Sequence, residues 1–171
     1  MSMMSILDKK IAVITGASSG IGQAIALEMA TAGCHVILSY QKSATKAYLT
    51  ADKIVAQGGA ADVLQVDVSD QNAVADFIKK ITNKWGDIDI WVNNAGADIL
   101  TGSSANRSDQ KKLQRLIDVD LLGTIHCCRM VVPHMKQHGT IINMAWDLAL
   151  HGLSGSNPQA FAAVKAGGVG F

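Results

Sequence analysis

The sequence lacks any concentration of charge of one sign. Its 171 residues include 15 Lys and Arg against 14 Asp and Glu, so the net charge is +1, and the basic residues form no run. Nucleic acids and anionic membranes are bound through clustered Lys and Arg. The charge pattern therefore argues against a nucleic acid or a membrane surface as the partner.

The sequence also lacks a long apolar run and a leader-like start. No uninterrupted apolar stretch approaches the roughly 20 residues that a membrane-spanning helix needs. Met1–Lys10 carries its lysines after its apolar residues and has no small-residue cleavage pattern, which is not typical of a signal peptide. These absences predict a cytoplasmic protein.

Cysteine is scarce and odd in number, with Cys34, Cys127 and Cys128 as the whole set. Their spacing matches neither a metal site nor a disulfide framework. We therefore predict that the three cysteines are small buried hydrophobic residues, and that the chain holds no metal ion.

What the sequence does contain is a regular alternation of apolar runs of strand length with helical patterns. The predicted strands are Lys10–Thr15, His35–Tyr40, Asp62–Val68, Ile88–Val92 and Thr140–Met144. The predicted helices are Ile21–Ala32, Lys46–Ala56, one capped by Ser69, Asp109–Met135, and one that begins at Asn157-Pro158. A polar loop, Ala97–Ser108, precedes the longest helix.

This alternation predicts one α/β domain over residues 1–171, a doubly wound parallel sheet with helices on both faces in three layers, the Rossmann fold. A sheet with two full nucleotide-binding halves needs at least one more strand. We therefore expect the fold to be incomplete at its C-terminal end.

The most informative segment is the glycine-rich turn Thr15–Gly22, which lies between the first predicted strand and the first predicted helix. In this context Gly16 permits a tight turn, Gly20 lets the backbone approach a pyrophosphate, and Gly22 allows close packing of helix and strand. The free N–H groups at the start of the helix attract phosphate. The segment predicts a dinucleotide site.

Two further motifs fall at the carboxyl ends of strands, where open α/β sheets bind ligands. Asn93-Asn94-Ala95-Gly96 follows the fourth predicted strand, and Asp67 closes the third. With the glycine turn, these residues make the chain resemble the short-chain dehydrogenase/reductase family over Lys9–Phe171, including its 3-oxoacyl-acyl-carrier-protein reductases.

The resemblance implies a set of nucleotide contacts. It places Gly16, Ser18, Ser19 and Ile21 along the diphosphate and ribose. It places Asp67 and Val68 beside the adenine, and Asn94, Ala95 and Gly96 beside the adjoining ribose and the sheet.

The end of the second predicted strand bears on which nucleotide is held. An acidic residue there would bind the ribose 2′-hydroxyl and repel a 2′-phosphate, but the sequence reads Ser39-Tyr40-Gln41-Lys42. Ser39, Tyr40 and Lys42 offer hydroxyl groups and a positive charge to a 2′-phosphate, which favours NADP(H) over NAD(H). The alternative, that Lys42 is an ordinary solvated lysine, stays open.

The resemblance also implies four catalytic positions, namely a proton-donating Tyr, a Lys four residues later that also holds the ribose, a Ser and an Asn. Here the Lys is Lys165, whereas the other three positions read Phe161, Trp146 and Asp120. Phenylalanine has no proton to donate. Asp147, His151 and Asp120 fall near the expected cleft as candidate stand-ins, but ordinary roles are favoured for each, such as a backbone hydrogen bond for Asp147 and a solvated loop position for His151.

Two functions therefore remain open. The first is an NAD(P)(H)-dependent oxidoreductase for a small carbonyl or alcohol, with altered proton-transfer residues. The second is a nucleotide-binding member of the family without turnover, in a regulatory or partner role. The resemblance implies a homodimer or homotetramer under both, and a substrate lid in a part of the fold that follows Phe171.

Overall fold

The computed structural model of the chain describes residues 6–151 and 153–170. The expectations that concern Met1–Ser5 and Phe171 lie outside the described residues. Five strands form one parallel sheet in the order β3-β2-β1-β4-β5. They are β1 (Ile11–Ile14), β2 (His35–Tyr40), β3 (Ala60–Gln65), β4 (Ile88–Asn93) and β5 (Met135–Asn143). The predicted parallel α/β fold is confirmed.

Helices follow each strand of the described chain. They are α1 (Gly20–Thr31), α2 (Ala44–Ala56), α3 (Gln71–Trp85), α4 (Gly102–Ala105), α5 (Asp109–Leu116), α6 (Gly123–Val131) and α7 (Ser156–Val169). A π-helical segment, Ile117–Leu122, joins α5 to α6 with helical backbone angles at both junctions. None of the described helices is both long and apolar enough to cross a bilayer.

The strands are buried on both faces, because alternate side chains of β1 enter two different cores. Ile11 and Val13 pack with side chains of α3 and α6, whereas Ala12 and Ile14 pack with side chains of α1 and α2. Period-two alternation in a sheet covered on both sides explains why the strand sequences are continuously apolar. The result is the predicted three-layer arrangement.

The strand order places β1 beside β4 although β2 and β3 lie between them in the chain. The connections leaving β1 and β4 therefore run to opposite sides of the sheet, and a crevice opens between them at the carboxyl ends of the strands. The glycine turn after β1 and the Asn93–Gly96 motif after β4 meet at this crevice.

Helices α1 and α2 begin one and two residues earlier than predicted, and the caps of α3 and α7 also differ from the prediction. Helix α3 is capped by Asp70 and not by Ser69, because the Asp70 carboxylate accepts the backbone N–H groups of Asn72 (2.9 Å) and Ala73 (3.2 Å). Helix α7 begins at Ser156, one residue before Asn157, since Gly155 provides the cap residue with a φ of +100°.

The region around the long predicted helix also differs. Helical backbone ends at His134 in a 3-10 turn that contains Pro133, and Met135 is the first residue of β5, five residues before the predicted start. The early start arises because Met135 pairs with Ile88 ahead of a register irregularity in β4. Strand β3 runs from Ala60 to Gln65, two to three residues earlier than predicted.

All three cysteines are buried and free, as predicted. Burial raises the pKa of Cys127 to about 12 and that of Cys34 to about 11, which keeps both thiols protonated. Residues 6–151 and 153–170 contain no group of three or more His, Cys, Asp or Glu side chains that could hold a metal ion.

A buried carboxylate links β1, β4 and β5 near their amino ends, at the opposite end of the sheet from the crevice. Asp89 on β4 is 4% exposed and accepts the backbone N–H of Ile11 (2.9 Å), the ammonium of Lys10 (3.0 Å) and that of Lys136 (2.8 Å). Burial raises the pKa of Asp89, but the hydrogen bonds from Lys136, Ile11 and Lys10 outweigh burial and hold the pKa below its usual range.

Replacing Asp89 with Asn is expected to lower the free energy of unfolding by about 2 kcal/mol near neutral pH, since charge-assisted bonds are lost. Because the folded pKa is depressed, this stabilisation is present above the unfolded pKa of about 4 and is lost as pH falls through the folded pKa. Urea unfolding at neutral and acidic pH measures it. Asp87→Asn, at an exposed neighbouring carboxylate, is the control, and equal effects of the two variants would contradict the assignment.

Candidate active site

Close packing dictates glycine at two positions of the turn. Gly16 has a φ of +65°, and a Cβ there would lie 2.8 Å from Ala95 Cα. A Cβ on Gly22 would lie 2.3 Å from Asn94 Nδ2 and 2.7 Å from the Gly16 carbonyl oxygen. Gly20 has a φ of +60° but faces open space. Glycine at positions 16 and 22 thus allows the loop after β4 to pack against the turn, and Gly20 leaves open space at the start of α1.

Side chains of three strand ends hold this turn in place. The Thr15 hydroxyl accepts the N–H groups of Asn94 (2.9 Å) and Ala95 (3.0 Å). The Asn94 amide donates to the carbonyl oxygens of Thr15 (2.9 Å) and Gly16 (3.1 Å). The Ser39 hydroxyl accepts the Gly16 N–H (3.2 Å). Asn94 and Ser39, predicted as nucleotide contacts, have their polar groups engaged in supporting the turn.

The start of α1 is suited to binding an anion. Its N-cap, Ser19, makes no side-chain capping hydrogen bond, and its first turn contains no acidic residue. Ile21, beside it, is 63% exposed. Uncapped N–H groups and the positive end of the helix dipole attract negative charge.

A cleft of about 480 Å³, here called the polar lobe, opens next to the turn. Its lining includes ten residues predicted above to contact the nucleotide: Gly16, Ser18, Ser19, Ser39, Tyr40, Lys42, Asp67, Val68, Ala95 and Gly96. Ten further lining residues were not predicted, and they include the polar and cationic residues Gln41, Lys46, Arg107 and Arg115. Gln41 and Lys46 lie close to Lys42 in the sequence. Arg107 and Arg115 lie in the segment that follows β4, where no local sequence pattern predicts a nucleotide contact.

The Asp67 carboxylate is tied into a network at the rim of the polar lobe. It accepts the Ser69 N–H (3.0 Å), the Ser69 hydroxyl (2.6 Å) and the Gln41 amide, and Gln41 in turn accepts Arg115 (3.0 Å). Burial raises the pKa of Asp67, but the bonds from Ser69 and Gln41 outweigh burial and hold it below its usual range. Asp67 is therefore ionised and fixed in position.

A second cavity of about 530 Å³, here called the apolar lobe, adjoins the first, and both are lined by Ala97 and Asp98. Its apolar lining consists of Ile99, Leu100, Trp146, Leu153, Pro158 and Phe161. The rings of Trp146 and Phe161 meet edge to face, with centroids 5.0 Å apart. The two residues at the implied Ser and Tyr positions thus form one aromatic wall.

The proposed stand-in acids lie elsewhere. Asp147 begins a 3-10 turn, Asp147–Leu150, and His151 follows that turn; both side chains are exposed. Neither lines the polar lobe or the apolar lobe. This position gives no support to their role as proton donors.

Lys165 is paired with Asp120 in a separate pocket of about 230 Å³. The Lys165 ammonium lies 3.0 Å from Asp120 Oδ1, with the two side chains 13% and 1% exposed, and donates to the Met144 carbonyl (3.4 Å). Asp120 Oδ2 also accepts the Ala97 N–H (2.8 Å). The Lys165 ammonium lies 5.5 Å from the Phe161 ring centroid. Lys165 is not among the lining residues of either lobe, and its charge is balanced by Asp120.

Comparison with known proteins agrees with this geometry. The family model described as short chain dehydrogenase matches residues 10–171. A 3-oxoacyl-[acyl-carrier-protein] reductase of Synechocystis sp. is 36% identical over 98% of this chain and 67% of its own length. The corresponding protein of Staphylococcus epidermidis is 35% identical over 94% of this chain and 65% of its own length.

Solved structures give the same result. A short chain dehydrogenase from Burkholderia cenocepacia in complex with NADP superposes with a TM-score of 0.85 at 31% identity, covering 96% of this chain and 66% of that one. A citronellol catabolism dehydrogenase of Pseudomonas aeruginosa superposes with a TM-score of 0.85 at 31% identity, covering 99% and 68%. The chain thus spans about two thirds of the length of these relatives. It belongs to the short-chain dehydrogenase family.

Proposed function

We propose that the chain is an oxidoreductase that holds NADP(H) in the polar lobe and acts on a carbonyl or alcohol compound in the apolar lobe. When bound, the dinucleotide supplies or accepts the hydride. The observation that carries the proposal is that the two lobes share Ala97 and Asp98, so that a ligand in one adjoins a ligand in the other. The relatives named as 3-oxoacyl reductases and the relative solved with NADP support it.

The residues of the polar lobe fit this cofactor. The uncapped start of α1 and the open space at Gly20 suit a diphosphate. The lobe carries four cationic side chains, Lys42, Lys46, Arg107 and Arg115, against two carboxylates. The excess of positive charge favours the additional phosphate of NADP(H) over NAD(H).

Replacing Lys42 with Met is expected to weaken NADPH binding about 10-fold and to leave NADH binding unchanged, since one charge-assisted phosphate contact is lost. Calorimetric titration with each nucleotide measures the effect. Lys53→Met, at an exposed residue of α2 outside the lobe, is the matched control. Equal weakening of NADPH and NADH by Lys42→Met would contradict the assignment of a 2′-phosphate contact.

Proton transfer is the unusual part of the proposed reaction. Hydride addition to a carbonyl leaves an alkoxide that needs a proton. Phe161 has none to give, and Asp98 is held below its usual pKa by the Thr101 hydroxyl and the N–H groups of Leu100 and Thr101. Among the described lining residues of the apolar lobe, Trp146 and Asn157 carry side-chain N–H groups, which can stabilise an oxyanion by hydrogen bonding but do not give up a proton.

This shortage favours a second candidate, a nucleotide-binding protein without redox turnover. A panel of carbonyl and alcohol compounds with NADPH and NADP⁺ separates the two candidates. Turnover of any member supports the oxidoreductase, whereas NADPH binding without turnover of any member supports the second candidate. Absence of binding of either nucleotide contradicts both.

We further propose that the chain acts in the cytoplasm as a homodimer or homotetramer. The buried free cysteines suit a reducing compartment. Leu113, Leu122 and Val132, along the α5–α6 region, expose 38%, 38% and 59% of their surface and offer an apolar face to a second copy. Light scattering of the purified chain measures its oligomeric state.

A further inference from the structure

The apolar lobe is lined by few charged side chains and by none that readily donates a proton. Among its described lining residues, Asp98 is the one charged side chain. The same set contains no Tyr, His, Lys or Cys that could donate a proton. A ligand bound there therefore meets apolar surface, a negative charge and no acid.

Asp98 keeps its negative charge where the two lobes meet. Its carboxylate accepts the N–H groups of Leu100 (3.0 Å) and Thr101 (2.9 Å) and the Thr101 hydroxyl, and its side chain is exposed. These bonds fix the direction of the carboxylate and favour its ionised form. An anionic ligand is disfavoured at this border, and a cationic one is favoured.

The aromatic wall has the same preference. Rings of Trp and Phe attract cations through their electron-rich faces. One cation already contacts Phe161, since the Lys165 ammonium lies 5.5 Å from its centroid, but Asp120 at 3.0 Å balances that charge. In the polar lobe, the phosphates of a bound dinucleotide offset the four cationic side chains. Asp98 and the two rings are then the lining groups of the apolar lobe that favour a cation.

We propose that the apolar lobe takes an apolar organic cation of the iminium class as the hydride acceptor. The inference rests on the proposed function for its reductant, NADPH, and puts an iminium ion in the place of the carbonyl compound. The hydride forms a C–H bond at the iminium carbon, the C=N π pair becomes the lone pair of nitrogen, and NADPH is oxidised to NADP⁺. The product is a neutral amine, so that no proton is required. This chemistry matches a site that retains hydride transfer but has no acid.

Binding is tested first, without turnover. The probe is N,N-dimethyl tetrahydroisoquinolinium, a permanent cation that accepts no hydride, and the neutral comparison is tetralone. Asp98→Asn is expected to weaken binding of the cation about 3-fold or more, the size of a partly exposed ion pair, and to leave tetralone unchanged. Asn can still accept both backbone N–H groups, so the loop is preserved. Asp147→Asn removes a carboxylate outside the lobe and is expected to change neither.

Quenching of tryptophan fluorescence reports this binding, and Trp146→Phe identifies the part of the signal that comes from the lobe. Tighter binding of tetralone than of the cation, or equal binding to the unaltered chain and Asp98→Asn, overturns the proposal.

Hydride transfer is tested next by following NADPH oxidation with N-methyl dihydroisoquinolinium or tetralone. The iminium compound is expected to be reduced at least ~10-fold faster, because ketone reduction here lacks an acid that contributes a factor of this size or more. Faster ketone reduction, or no reduction of the iminium compound while calorimetry shows NADPH bound, overturns the inference. Failure of NADPH to bind instead overturns the proposed function.

Discussion

The double variant Phe161→Tyr/Asp120→Asn is expected to reduce tetralone with NADPH ~10²–10⁴-fold faster than the unaltered chain, the contribution typical of a positioned general acid. Phe161 lines the apolar lobe, so a hydroxyl added to its ring enters the space where the proposal places the substrate. Lys165 follows four residues later on α7, and its ammonium lies 5.5 Å from the ring centroid. An unpaired cation at this distance lowers the pKa of a tyrosine hydroxyl.

Asp120 is the reason that Phe161→Tyr alone is not expected to restore a proton donor. Its carboxylate lies 3.0 Å from the Lys165 ammonium and balances the charge that would otherwise favour a tyrosinate. Asn at position 120 can still accept the Ala97 N–H but carries no charge. We therefore expect Phe161→Tyr alone to gain much less than the double variant. Removing one partner of a buried pair also costs stability, so a lower midpoint of unfolding is expected.

Initial rates of NADPH oxidation measure this effect, and the spectrophotometric pKa of the new tyrosine gives an independent reading. The expected pKa is lower in Phe161→Tyr/Asp120→Asn than in Phe161→Tyr. Phe161→Leu/Asp120→Asn, which adds no hydroxyl, is the control. A double variant that binds NADPH but is no faster than this control contradicts the assignment of Phe161 to the acid position.

The fold was predictable from sequence because its signals are local. Each strand is a short apolar run, and the Gly-rich turn lies between such a run and a helical pattern, so strand His35–Tyr40 was located with both ends correct. Helix boundaries were harder to predict where two neighbouring side chains could each cap the helix. Ser69 and Asp70 are both good caps, and only the structure shows that Ser69 is engaged with Asp67 while Asp70 caps α3.

The candidate site was predictable where one short segment contains several of its residues. The turn and Asn93–Gly96 each bring neighbours in sequence to the crevice. The pairing of Lys165 with Asp120 joins residues of α7 and the π-helical segment, and the bond of Arg115 to Gln41 joins α5 to the end of β2. No periodicity relates such distant positions. Lys165 and Asp120 are therefore identified from the sequence, whereas Gln41 and Arg115, and the pairing of Lys165 with Asp120, are not.

The substitution Gly22→Ala is expected to weaken NADPH binding by about 10-fold or more and to lower the free energy of unfolding by about 1–3 kcal/mol, the cost of overpacking. The new Cβ would lie 2.3 Å from Asn94 Nδ2, so the Asn94 side chain has to move. It then gives up its bonds to the carbonyl oxygens of Thr15 and Gly16, which hold the turn in shape. A displaced turn presents the start of α1 to the diphosphate in the wrong place.

Fluorescence titration with NADPH and urea unfolding measure the two effects. Gly168→Ala is the matched control, because a Cβ there meets nothing within 4 Å and alanine favours the helical backbone of α7. The control is expected to keep its NADPH affinity and to gain slightly in stability. If Gly22→Ala lost stability but bound NADPH as tightly as the control, the turn would be a packing element alone, and the proposal that it holds the dinucleotide would be wrong.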